Sequence, residues 1–138
     1  MKILLCMFLV ISSFSFGKLQ DGKYSVRTDR SIWFWYPYTE VTVKDGVVTS
    51  GAHDRVKTDG RLASQDDSYN NRMFKKTKMS PELYSKLIPE NYFKAKGDLD
   101  KMDAIAGATD SLSHFKKQYE FLMKQEKPGN YIMKKSDL

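Results

Sequence analysis

The stretch Thr39-Glu40-Val41-Thr42-Val43-Lys44-Asp45-Gly46-Val47-Val48-Thr49 decides the fold. From Thr39 to Lys44 the residues alternate with the period of two that sends successive side chains to opposite faces of a strand. Asp45-Gly46 then separates this run from a second β-branched run. Asp-Gly tolerates the two positive φ angles of a tight hairpin turn, so the pattern predicts an antiparallel pair. Upstream, Asp21-Gly22 reads as a turn and Lys23-Tyr24-Ser25-Val26-Arg27 alternates like another strand.

Downstream of Asp59-Gly60 the period lengthens to that of a helix. Asp66-Asp67 put negative charge where a first helical turn favours it, with Tyr69 and Met73 following at helical spacing. Ser80-Pro81 is a cap followed by proline at the first helical position. Leu83, Leu87 and Ile88 share the next face, and Pro89 is expected to end that helix. Residues 97–102 form a polar connection. Leu112, Phe115, Tyr119, Leu122 and Met123 then make one apolar stripe opposite Lys116, Lys117, Glu120 and Lys124. Pro128-Gly129 stops it, and residues 128–138 are expected to be a flexible tail. Strands first and helices later predict an α+β domain: a small antiparallel sheet from the N-terminal hairpin region, with helices from the C-terminal half packed against it. There is no strand–helix alternation, no Gly-x-Gly-x-x-Gly and no phosphate-loop lysine motif, which argues against a parallel-sheet nucleotide fold.

Residues 1–17 have the pattern of a secretory signal peptide. Lys2 supplies the charged end, residues 3–11 are nearly all apolar, and Ser15 and Gly17 are the small residues at the cleavage site. The apolar run is shorter than the roughly 20 residues of a membrane span. Residues 18–127 remain as one domain, expected outside the cytoplasm, in a periplasm or at the cell surface. Cys6, the single cysteine, lies in the leader, so disulfides, thiolate catalysis and cysteine metal sites are excluded from the domain. His53 and His114 do not form a metal-ligand spacing with each other or with nearby carboxylates. The net charge of +6 suits acidic partners or an anionic membrane surface. The basic residues are scattered, however, and no nucleic-acid motif occurs.

The segment richest in chemistry is Asp103-Ala104-Ile105-Ala106-Gly107-Ala108-Thr109-Asp110-Ser111, directly before the last amphipathic helix. Helix N-terminal amides lack internal partners and carry partial positive charge, so the position attracts phosphate. Thr109 is read either as an N-cap or as a place where a phosphate-bearing group is held. No nucleophile–His–acid set or paired carboxylates appear.

Asp-x-x-x-Gly-Ala-Thr ahead of a helix resembles the flavinylation motif of the FMN-binding domain family. The likeness extends over about residues 21–124. It includes Asp21-Gly22-Lys23-Tyr24, the Val41 to Val48 hairpin, and Lys57-Thr58-Asp59-Gly60-Arg61-Leu62-Ala63-Ser64-Gln65-Asp66-Asp67-Ser68-Tyr69-Asn70, which is similar to a segment of the family's secreted subgroup. Two features depart from the pattern: Ala106 stands where many members carry Ser or Thr, and the lipid-anchor cysteine of lipoprotein members has no well-placed counterpart.

The resemblance implies FMN linked covalently through its phosphate to Thr109, with Ser111 as the other acceptor. Gly107 and Ala108 would leave the approach open, amides after Thr109, from Asp110 onward, would receive phosphate oxygens, and Asp103 would be the motif's acidic residue. In the aromatic run Trp33-Phe34-Trp35-Tyr36-Pro37-Tyr38, Trp35 is the candidate to stack on the flavin, as is Tyr69 beyond it. His53 is a candidate neighbour of the flavin, against the plainer reading of a surface histidine. The implied function is an exported electron carrier rather than a substrate-transforming enzyme. Its partners would be a flavin transferase for maturation and upstream and downstream redox proteins. The competing reading is a non-redox binding module that has kept the fold and lost the flavin, using its aromatic run.

Overall fold

The computed structural model describes residues 19–138. The leader read in residues 1–17 lies outside the described residues. The chain forms β1 (Gly22–Thr28), β2 (Tyr36–Lys44), β3 (Val47–Val56), α1 (Asp67–Thr77), α2 (Pro81–Lys94), α3 (Thr109–Met123) and β4 (Gly129–Met133). Short 3-10 turns occur at Ala63–Gln65, Leu99–Lys101 and Lys135–Asp137. This is an α+β fold. Its sheet has the order β3-β2-β1-β4, with β1, β2 and β3 antiparallel and β4 parallel to β1.

The hairpin forms as its residues dictate. Asp45 and Gly46 have φ of 54° and 76°, and the carboxylate of Asp21 accepts from the Gly46 amide at 3.0 Å. Along β2 the inward set Pro37, Thr39, Val41 and Val43 is buried, while Tyr38, Glu40 and Thr42 alternate outward. The helix starts also follow local chemistry. Asp66 caps α1 by accepting from the Tyr69 amide, and Ser80 caps α2 by accepting from Leu83.

Two expectations are corrected. Pro89 does not end α2, which runs on to Lys94. An interior proline removes one hydrogen bond and costs about 3 kcal/mol. Burial of Tyr84 and Ile88 before it and Tyr92 after it offsets that cost. The supposed flexible tail is not free either: Gly129–Met133 pairs with β1 from Tyr24↔Gly129 to Thr28↔Met133, and Met133 is buried. Parallel pairing with a strand about a hundred residues earlier leaves no local signal.

The core has two joined parts. Tyr24, Val26, Val41, Val43, Leu122 and Met133 fill the space between the sheet and the end of α3. Met79, Tyr84, Ile88, Tyr92, Met102, Ala108, Leu112 and Phe115 fill the space under α2 and the start of α3. Tyr119 and Val48 touch both. The second part brings the N-terminus of α3 to the end of β3 and the junction between α1 and α2.

Candidate functional site

The Gly-Ala-Thr segment lies where α3 begins. Ala108, not Thr109, is the N-cap residue, and no side chain caps the helix. The reading of Thr109 as a capping hydroxyl is therefore corrected: Thr109 is the first helical residue and is exposed. Gly107 has φ of +82°, and a Cβ there would meet the Cβ of Met79 at 2.9 Å. Glycine is thus required by the turn and by Met79. Ala108 is buried in the core. Neither residue simply clears an approach.

A cavity of about 320 Å³ opens beside Thr109. It lies at the low end of the range for small-molecule sites. Its lining includes Gly107, Ala108, Thr109, Asp110 and Ser111 from the motif, with Arg55, Met79 and Tyr84 facing them. The five sequence candidates in this lining are consecutive in the chain, and what folding adds is the wall of Arg55, Met79 and Tyr84 opposite them. Thr109 and Asp110 are exposed, whereas Ser111 is only 4% exposed, so Thr109 is the accessible hydroxyl.

The polar atoms around this cavity are short of partners. The Tyr84 hydroxyl and the Arg55 Nε, both on lining residues, are buried without a hydrogen bond, as are His53 Nε2 and His114 Nδ1, which lie outside the lining. Most buried polar atoms are paired, and each exception needs a reason. Burial pushes the Tyr84 phenol far up, so it is a protonated donor, and the Arg55 charge and then the Ser111 hydroxyl temper the shift. Arg55 is anchored by donating from Nη1 to the Tyr69 hydroxyl at 3.1 Å.

His53 is wholly buried, which corrects the surface reading. Gln118 Nε2 donates to the Pro37 carbonyl at 2.9 Å, so its Oε1 accepts, and Thr39 donates to it at 2.7 Å. The Thr39 oxygen must then accept from His53 Nδ1, 2.8 Å away. This relay leaves His53 Nε2 as a bare lone pair. Burial first, then the neighbouring His114 and Arg55, lowers the His53 pKa well below the ordinary histidine value.

Other candidates lie apart from the cavity. The exposed Asp103 lines a separate depression with Asn91 and Lys101, and its backbone is clamped by Asn91 in both directions, at 2.9 and 2.6 Å. Trp35 is buried against Tyr69 at 5.5 Å between ring centres, with the Lys57 ammonium 4.7 Å over its indole. It reaches the cavity only through Tyr69 and Arg55. Arg55, Tyr84 and Met79 are functional neighbours that the sequence does not single out, and His114 figures there only as a residue without metal-ligand spacing. Tyr84 carried a signal only in its helical spacing with Ile88 and Leu87, and Arg55 carried none. A larger groove of about 730 Å³, lined by Leu19, Val47, Tyr92 and Phe93 among others, shares no residue with the Thr109 cavity. Among the described residues no cluster of His, Cys, Asp and Glu could hold a metal ion.

No family model matches the chain. It is similar to a "15 kDa lipoprotein" of Treponema pallidum (strain Nichols), 25% identical over 129 residues that cover 93% of this chain and 91% of that protein. Its fold is similar to the crystal structure of the CPE2226 protein from Clostridium perfringens, with a TM-score of 0.72 and 25% identity over 84% of this chain and 98% of that one.

Proposed function

We propose that the chain is an exported flavoprotein carrying FMN as a phosphoester on Thr109 and relaying electrons between redox proteins. The observation that carries this reading is the meeting of an exposed, uncapped Thr109 hydroxyl with a cavity lined by the buried, unpartnered Tyr84 hydroxyl. A hydroxyl that contributes nothing to its own helix cap is free for another use. The residues fit the group. The amides that follow Thr109 at the start of α3 suit phosphate oxygens. Tyr84 and Arg55 offer donors that a flavin ring's carbonyls and nitrogens would satisfy, and Met79 offers an apolar wall. When bound, FMN supplies one- and two-electron chemistry, and the protein orients and tunes it. Similarity to a protein named a lipoprotein supports an extracytoplasmic or membrane-associated location.

The test is the mass of the protein purified from its own host. The expected result is a single FMN phosphoester adduct and yellow fluorescence that survives denaturation, both lost in Thr109→Ala. An adduct retained by the variant moves the acceptor to Ser111. Bare wild-type protein, made beside an active transferase, overturns the reading. The second reading, a binding module without flavin, is favoured by the outward placement of Trp33 and Phe34.

A further inference from the structure

The loop between β1 and β2 ends in a two-residue turn built in an unusual way. Ile32 and Trp35 exchange both backbone hydrogen bonds, at 2.7 and 3.2 Å, so Trp33 and Phe34 are the two central residues. Both have positive φ, 53° and 74°. Hairpin turns of this geometry normally use Asn-Gly, because bulky side chains are disfavoured there. Trp33 and Phe34 are nevertheless 79% and 80% exposed. Neither ring gains from burial, so nothing within the described fold repays the strain.

The surroundings of the tip are charged, with three basic side chains set among the carboxylates of Asp29 and Asp137. Arg30, Lys134 and Lys135 are all exposed beside it. The Lys135 ammonium lies 3.4 Å from the Ser31 carbonyl, two residues before Trp33. Asp29 is engaged by the Lys135 amide at 2.9 Å, and the Asp29 amide donates to Met133 at 2.8 Å, which ties this platform to the sheet.

We propose that the Trp33-Phe34 tip is a docking element for an anionic lipid surface, with the rings entering the interfacial layer and Arg30, Lys134 and Lys135 lying against the headgroups. Trp and Phe beside Lys and Arg are the chemistry of that interface. A stable protein interface buries roughly 800 Å² on each side around an apolar centre. Two exposed rings on a two-residue turn are too small a centre for that, yet they suffice for shallow insertion helped by electrostatics. β1 runs about 20 Å from Gly22 to Thr28 at the rise of a strand, and the tip lies beyond its Thr28 end. It does not depend on the flavin.

Trp33 is a built-in probe, since the other tryptophan, Trp35, is already buried. The exported form of the protein is mixed with vesicles of phosphatidylcholine and phosphatidylglycerol in equal parts, and separately with pure phosphatidylcholine vesicles. The expected result is co-flotation with the anionic vesicles, a blue shift of Trp33 emission and quenching by brominated acyl chains, all weakened by salt. The double variant Trp33→Asn, Phe34→Gly has the residues the turn prefers, so it folds at least as well. It should lose about tenfold or more in vesicle affinity. Changing Arg30, Lys134 and Lys135 to Gln should remove the preference for anionic vesicles. Wild-type protein that neither floats nor shifts overturns the proposal. So does vesicle binding unchanged in the double variant, or a Trp33 shift produced by a purified redox partner and not by vesicles.

Discussion

At the scale of the residue, Gly107 and Thr109 show how differently two positions of one motif are constrained. Gly107 is bound to its identity by a positive φ and by the Met79 Cβ that a side chain would strike. Gly107→Ala is expected to cost about 1–3 kcal/mol in urea unfolding, since both the backbone and Met79 must shift. Thr109, exposed and making no capping hydrogen bond, is expected to tolerate alanine within about 0.5 kcal/mol. A Thr109→Ala loss near 1 kcal/mol or more in unbound protein would reveal a capping role that the geometry does not support. A sequence reader sees Gly-Ala-Thr in both cases. Only the position of Met79, 28 residues earlier in the chain, distinguishes the structural residue from the available one.

At the scale of the element, β4 is the clearest case. Its five residues follow Pro128-Gly129, a pair that reads as a stop, and their partners in β1 lie near the other end of the chain. Met133 sits in the same apolar cluster as Val26 and Leu122. Met133→Ala is therefore expected to cost about 2–3 kcal/mol, and removal of residues 129–138 should leave a protein with no cooperative thermal transition near that of the intact chain. A truncated chain as stable as the whole would mean the strand is dispensable. The helix α2 teaches the converse lesson. Pro89 is a strong local stop, yet tertiary burial of Ile88 and Tyr92 overrides it. By contrast, the Ser80 cap is legible because its partner lies within three residues of it, whereas Asp66, expected only as first-turn charge, proves to be the cap of α1.

At the scale of the whole molecule, the buried imidazoles couple folding to pH. Burial is the largest cause lowering both His53 and His114 below the ordinary histidine value. The unfolded chain therefore takes up protons first as pH falls. The stability held by these neutral rings is complete above about pH 6.5 and is lost below it, by up to about 1.4 kcal/mol per pH unit for each histidine. Asp54, raised by burial despite its bonds from Ser64 and Arg55, works in the opposite sense: the folded state holds its proton above the 3.8 of the free carboxyl, which partly offsets the loss at the acid end. Urea unfolding at about pH 7 and about pH 5.5 should show lower stability at the acid value, and His53→Gln should flatten that slope. An equal slope in the variant would remove His53 as a source.

The hairpin and the starts of the first two helices could be read from the chain directly, because each depends on residues within a few positions: two positive φ angles at Asp45-Gly46, a carboxylate before α1, a hydroxyl and a proline at Ser80-Pro81. The α+β order of strands and helices followed from the change of period. The parallel fourth strand, the continuation of α2 and the Thr109 cavity with Arg55, Tyr84 and the His53 relay were settled only on folding. Each joins residues far apart in sequence, and burial, hydrogen-bond satisfaction and close packing act on spatial neighbours whatever their order in the chain.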